Sequence, residues 1–204
     1  MSFGKTKRRL QALINRKDLT DALAGDFVTE AIADLERSLR IGPMEALLTV
    51  TAWDGTANTL NIPYGHLELI NLFTSRGEMT QVDLAEFIRL DGTGGIPTHF
   101  CRVGPAWLLK PTPAIGTPVH LHYYAQGLPL VVDADENVWI ISAFNAVVYQ
   151  AAALAADFFQ MEDTYAQRFQ ARAADYMAAI ADQDLNEKWS GRIAIPLPSD
   201  LGPY

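Results

Sequence analysis

Only one cysteine, Cys101, stands in this chain of 204 residues. An internal disulfide is therefore excluded, and the cysteine usage gives no hint of an oxidising compartment. Long apolar runs are missing as well: none reaches the ~18–20 residues that a membrane-spanning helix requires. The opening MSFGKTKRRLQALINRK has neither the apolar centre nor the small-residue cleavage site of a secretory signal. A soluble protein, cytosolic when made, is the expectation. No serine lies in a Gly-x-Ser-x-Gly elbow. The glycine-rich loop 91–97 lacks the Gly-Lys-Ser/Thr ending of a phosphate loop. Acids are absent from residues 1–17, which hold six basic residues: Lys5, Lys7, Arg8, Arg9, Arg16 and Lys17. The rest of the chain is left with a net charge of −14, against −8 for the whole. A basic end on an acidic body suits contact with nucleic acid, or with an acidic patch on a partner or a second copy.

What is abundant is helix-forming sequence at both ends. Residues 142–159 predict a helix, and within 145–156 it carries six alanines, at 146, 151, 152, 153, 155 and 156, among Val147, Val148, Tyr149 and Leu154. Alanine costs no side-chain entropy in a helix, and small side chains let helix backbones approach closely. Residues 163–187 place Tyr165, Phe169, Tyr176 and Ile180 at spacings of four, seven and four, one face of a 3.6-residue period. A smooth helix nesting against a ridged one is expected. At the other end, residues 5–16 predict a short helix with Leu10, Leu13 and Ile14 on one face. Asp18 offers a cap to a turn at 19–23, and Gly25 interrupts. A further helix is expected from Asp26 to Arg40, ended by Gly42-Pro43.

Between these ends the apolar period changes from 3.6 to 2. Residues 46–53 and 59–62 predict a strand pair joined at Asp54-Gly55, and 67–74 a third strand. Residues 82–90 predict a short helix with Val82, Phe87 and Leu90 inward. Residues 98–103, 106–110 and 117–125 read as a three-stranded meander. In its last strand Val119, Leu121 and Tyr123 share one face, while His120, His122 and Tyr124 share the other. Residues 127–136 are a loop, and three prolines at 196, 198 and 203 favour an extended tail over 192–204. The sum is an α+β protein. A helical bundle from the N- and C-terminal helices carries an inserted antiparallel β layer at about 45–125. One domain over 1–191 is expected, with the tail following.

Candidate chemistry is sparse. His99, Cys101, His120 and His122 are zinc-ligating residue types. In a meander, however, their strands sit two spacings apart, ~9.6 Å, too far to share one ion. Cys101 with His99 two residues away is a weak nucleophile–base pair, with no third group to orient it. No active site is supported by the residues themselves.

Several stretches taken together resemble the head–tail adaptor (neck, or connector) proteins of tailed bacteriophages. Leu13-Ile14-Asn15-Arg16-Lys17-Asp18-Leu19, the helix to Arg40 and Met44-Glu45 are similar to that family's opening. Leu60-Asn61-Ile62-Pro63-Tyr64 with Leu67-Glu68-Leu69 resembles its first strands. Pro97-Thr98-His99-Phe100, Leu108-Leu109-Lys110-Pro111-Thr112-Pro113 and Leu121-His122-Tyr123-Tyr124-Ala125 resemble its central strands. Trp139-Ile140-Ile141, the alanine helix and Trp189-Ser190-Gly191 complete the match, which spans about residues 10–192. The chain departs from the pattern at His122, where an arginine is usual, and at Cys101, where an apolar or aromatic residue is usual.

The resemblance implies a structural virion protein. Its copies would form a dodecameric ring between the capsid portal protein and a tail or nozzle protein, at the virion neck after assembly in the host cytoplasm. DNA would pass through without specific binding. The resemblance implies no catalytic residues, no metal, no cofactor and no membrane. Within that frame the alternating apolar residues of the tail are expected to dock on the portal or another partner, through Arg192, Ile193, Ile195, Leu197 and Tyr204. Lys7, Arg8 and Arg9 are expected to face an acidic patch of a partner or an adjacent copy. The alternatives are another head- or tail-completion protein, a small nucleic-acid-binding protein using residues 5–17, or a metal enzyme built on the strands.

Overall fold

The computed structural model describes residues 1–189. Among them are six α-helices: α1 (Phe3–Ile14), α2 (Asp21–Ser38), α3 (Leu84–Arg89), α4 (Val138–Ser142), α5 (Phe144–Phe158) and α6 (Asp163–Trp189). Eight strands lie between α2 and α4: β1 (Glu45–Val50), β2 (Thr59–Asn61), β3 (His66–Thr74), β4 (Gly77–Glu78), β5 (Thr80–Gln81), β6 (His99–Val103), β7 (Ala106–Lys110) and β8 (Val119–Ala125). The class is α+β. The expected tail, 192–204, lies outside the described residues. The contacts divide the chain into two compact units: Met1–Leu35 with the chain from Val132 onward, and Glu36–Val131.

The helical unit is centred on α5. Ala146, Val147, Val148, Ala151, Ala152, Ala153, Ala155 and Ala156 are all buried, so the helix is covered on most of its circumference. Its alanines admit α1 on one side and α6 on another. Tyr149 stacks on Tyr176 of α6 with ring centroids 5.6 Å apart. The inner face of α6 differs from the expected ridge. Phe169 and Ala173 are buried, whereas Tyr165 is 42% exposed. The small Ala173 lets α6 lie close to α5, and Tyr165, in the first turn, projects beyond the contact.

The expected break at Gly25 does not occur. α2 runs through it from Asp21, and Thr20 rather than Asp18 supplies a cap, its hydroxyl accepting from the Leu23 N–H at 3.2 Å. Glycine costs a helix interior about 1 kcal/mol. Here the missing side chain makes room for α1: a Cβ on Gly25 would lie 3.2 Å from Cζ of Phe3. Tertiary packing has overridden a local breaker.

The β unit holds two four-stranded sheets, ordered β1-β8-β3-β4 and β2-β7-β6-β5. Every pairing is antiparallel except β5 with β6. Two expected pairings are therefore corrected. β1 and β2 are not a hairpin: β1 pairs with β8 and β2 with β7. The turn at Asp54 does form, its carboxylate accepting from the Thr56 and Ala57 N–H groups at 2.7 Å, but it links strands of different sheets. Likewise β6 and β7 pair, while β8 leaves the meander for the first sheet. The reason is the core. Trp53, Leu60, Leu72, Met79, Phe100, Trp107, Leu109, Val119, Leu121 and Tyr123 form one cluster fed by both sheets. Two sheets facing each other bury these side chains from both sides, which one flat meander cannot do. The alternation read in β8 stands: Val119, Leu121 and Tyr123 are buried and His120, His122 and Tyr124 half-buried. In the short helix α3 Asp83 is the cap, accepting from the Glu86 N–H at 2.7 Å. Phe87 is buried there, while Val82 and Leu90 are half-buried.

Candidate functional site

The zinc-type residues are divided between the sheets. His99 and Cys101 lie on β6, and His120 and His122 on β8. Each has a local partner. His99 Nδ1 lies 2.9 Å from the Thr98 hydroxyl, and the buried Cys101 thiol lies 3.7 Å from the Arg102 carbonyl. His120 Nδ1 lies 2.9 Å from the Thr49 hydroxyl, and its ring stacks on Phe73 at 4.9 Å. His122 Nε2 lies 3.0 Å from a Glu45 carboxylate oxygen. Among the described residues no group of three or more His, Cys, Asp or Glu side chains could hold a metal ion.

A histidine that the sequence did not single out is the most perturbed. His66 stacks on Tyr123 at 5.5 Å and meets the edge of Trp107 at 5.1 Å. Its Nε2 is buried with no hydrogen-bond partner. Burial, and then the positive charge of Arg102, push its pKa below the ordinary 6.5. The half-buried ring packs between Tyr123 and Trp107, and the nearby Glu68 carboxylate opposes the lowering of its pKa.

The three basic candidates of α1 separate by helical geometry. Lys7 shares a face with Phe3, Leu10 and Ile14, all buried. Its side chain is only 9% exposed, and its ammonium is ion-paired with Asp21 and, at 2.6 Å, with Asp133. The hydrogen bonds it donates to Asp133 first and Asp21 next raise its pKa above the ordinary 10.5. The same loop closes the start of α1. The Phe3 and Gly4 N–H groups donate to the Asp135 and Asp133 carbonyls at 2.9 and 3.0 Å, replacing a side-chain cap. Only glycine fits at position 4, since a Cβ there would lie 2.7 Å from Cγ of Asp133. Lys7 thus joins α1, α2 and the loop before α4. Arg8 and Arg9, by contrast, are exposed beside Lys5 on the outer face. A lysine at the i+4 and i−3 positions of buried apolar residues was a legible sign of that inward role.

The exposed apolar side chains of the β unit are the other feature the sequence reading passed over. Tyr64 is fully exposed in the turn before β3, and Leu47, Ile88, Ile115, Leu128 and Val131 are each more than 60% exposed. An aromatic residue between Pro63 and Gly65 was the available signal, because turns usually take polar residues. Exposed apolar side chains are not confined to this unit: Ile141 and Phe158 of the helical unit are each 60% exposed.

A family model for the SU10 adaptor protein matches residues 1–196. The chain belongs to the SU10 adaptor protein family. Among curated proteins none matches the chain. Membership makes it a bacteriophage head–tail adaptor, a structural component of the virion that interacts with other head and tail proteins. An adaptor of this family is a structural protein. No helix among its described residues is long and apolar enough to cross a membrane.

Proposed function

We propose that this adaptor forms a ring, dodecameric as in the phage neck proteins it resembles, between the capsid portal and the tail or nozzle, and that the ring continues the DNA channel. The observation that carries the reading is the adaptor-family match along residues 1–196. Residues 1–191 act as one adaptor domain, with the helical unit as scaffold and the β unit presenting contacts. A net charge of −14 beyond residue 17 suits a channel wall that must release DNA, because a basic wall would gain affinity through counterion release. The protein has no catalytic step, cofactor or metal in this role. Arg8 and Arg9 meet an acidic patch of the portal or of an adjacent copy, while Lys7 contributes by holding α1 in place. The tail, through Arg192, Ile193, Ile195, Leu197 and Tyr204, docks outside its own protomer on the portal or an adjoining partner.

The test is to add the purified protein to portal-bearing, DNA-filled particles that lack it, and to image the vertex by cryo-electron microscopy. A new ring directly under the portal is expected. An empty vertex with folded protein free in solution overturns the reading, as would a ring at another axial position, which indicates a different completion protein. Removing residues 192–204 is expected to abolish attachment while the protomer stays folded.

A further inference from the structure

A ring closes only if each copy carries two unlike surfaces that fit each other. One such surface is the outer edge of β1. Among the described residues this strand pairs with one other strand, β8, in unbroken register from Glu45↔Tyr124 to Val50↔Val119. The other end strands are short, two residues in β4 and β5 and three in β2. β1 has six residues, Glu-Ala-Leu-Leu-Thr-Val. It contains no lysine, no proline and no bulge, the devices that keep exposed edges from pairing. Leu47 on one face and Leu48 on the other are 63% and 39% exposed. A regular edge with exposed leucines is a ready template for pairing with another chain.

The complement is in the sequence after α6. In residues 192–198, Arg-Ile-Ala-Ile-Pro-Leu-Pro, successive positions of an extended strand direct their N–H groups to opposite edges. Pro196 and Pro198 share parity with Ala194, so one edge has lost two donors. The other edge keeps its N–H groups at Ile193, Ile195 and Leu197, whose side chains also share a face. Such a segment can join a sheet on one side and closes it on the other. We propose that residues 192–198 of one copy add as an outer strand to β1 of the adjacent copy, covering its exposed leucine and leaving Tyr204 beyond the strand for the portal. The inference rests on the ring reading and names the acceptor of the tail. Tail and edge are unlike surfaces, so the contact is head-to-tail and propagates around the ring.

Cross-linking between distinguishable copies tests it. In a Cys101→Ala background, a tagged copy carries Leu47→Cys or Leu48→Cys, and an untagged copy carries Ile195→Cys. The two are assembled together on adaptor-lacking particles and mildly oxidised. A disulfide joining tagged to untagged chains is expected for the leucine on the shared face. Rings on the vertices without that disulfide from either leucine overturn the strand addition and leave the adaptor reading standing. Absence of rings with wild-type protein overturns the ring reading on which the inference rests. Parity supplies a second measurement. Ile195→Pro removes the central donor and is expected to lower vertex occupancy about tenfold, the equivalent of one or two lost hydrogen bonds. Ala194→Pro falls on the edge already blocked and is expected to leave occupancy unchanged, with Ile195→Ala between the two. Equal effects of the two proline substitutions overturn the proposal.

Discussion

The two units solve the same packing problem in different ways. The helical unit excludes water with small side chains: six alanines of α5 are buried, and Gly25 admits Phe3. The β unit excludes it with large ones, among them Trp53, Phe100, Trp107 and Tyr123. Small-residue packing brings backbones together and leaves little freedom to adjust. An aromatic core between two sheets leaves sheet edges and loop tips at the surface, and there the β unit exposes Leu47, Tyr64 and Ile115. The difference is one of side-chain size, since the helical unit too leaves large side chains, such as Phe158 and Ile141, at its surface.

The largest effect is expected from Trp107→Ala. The side chain is 1% exposed, and its removal should cost about 3–5 kcal/mol. Hydrogen exchange read peptide by peptide should place the loss in residues 36–131 and spare α5. Loss of protection spread equally over both units would erase the contrast. Lys7→Met removes a buried cation whose partners, Asp21 and Asp133, are each 62% exposed and can be solvated. A cost of about 1–3 kcal/mol is expected in urea unfolding. The pair Arg8→Glu and Arg9→Glu should move stability by less than about 0.5 kcal/mol. It should weaken vertex attachment most at low salt, where charge contacts are least screened. Gly4→Ala forces a Cβ against Asp133, and a loss of roughly 1–2 kcal/mol is expected, confined to the helical unit.

The smallest effect is one of pH. His66 has a folded pKa below 6.5, so the unfolded chain takes up the proton first. The stability that its neutral ring contributes is complete above 6.5 and is lost as pH falls through the lowered value. The β unit should therefore weaken on mild acidification. His66→Phe, which keeps a ring without a titrating proton, should flatten the profile between pH 6.5 and the carboxylate range. An unchanged slope would assign the acid sensitivity elsewhere.

Much of this molecule is local and so was legible. The alternation of β8, the helical spacing of α6 and the alanines of α5 are properties of neighbouring residues, and each element formed where its period indicated. The resemblance to phage adaptors was legible too, because it lies in the order of short motifs along the chain. Lys7 was misread for a specific reason. Its charge suggested a surface, while its place between Phe3, Leu10 and Ile14 put it on the buried face, and two carboxylates distant in sequence made that burial tolerable.

By itself the sequence determined the class, the places of the longer helices and strands though not of α4, β4 or β5, and, through motif order, the family. The tertiary structure alone decided that β8 joins β1 and β3 rather than β7, that α2 continues through Gly25, and which basic residues of α1 face outward. Pairing partners and exposure depend on contacts between segments far apart in the chain. Any apolar strand face can be satisfied by several others, and only packing the whole core selects among them.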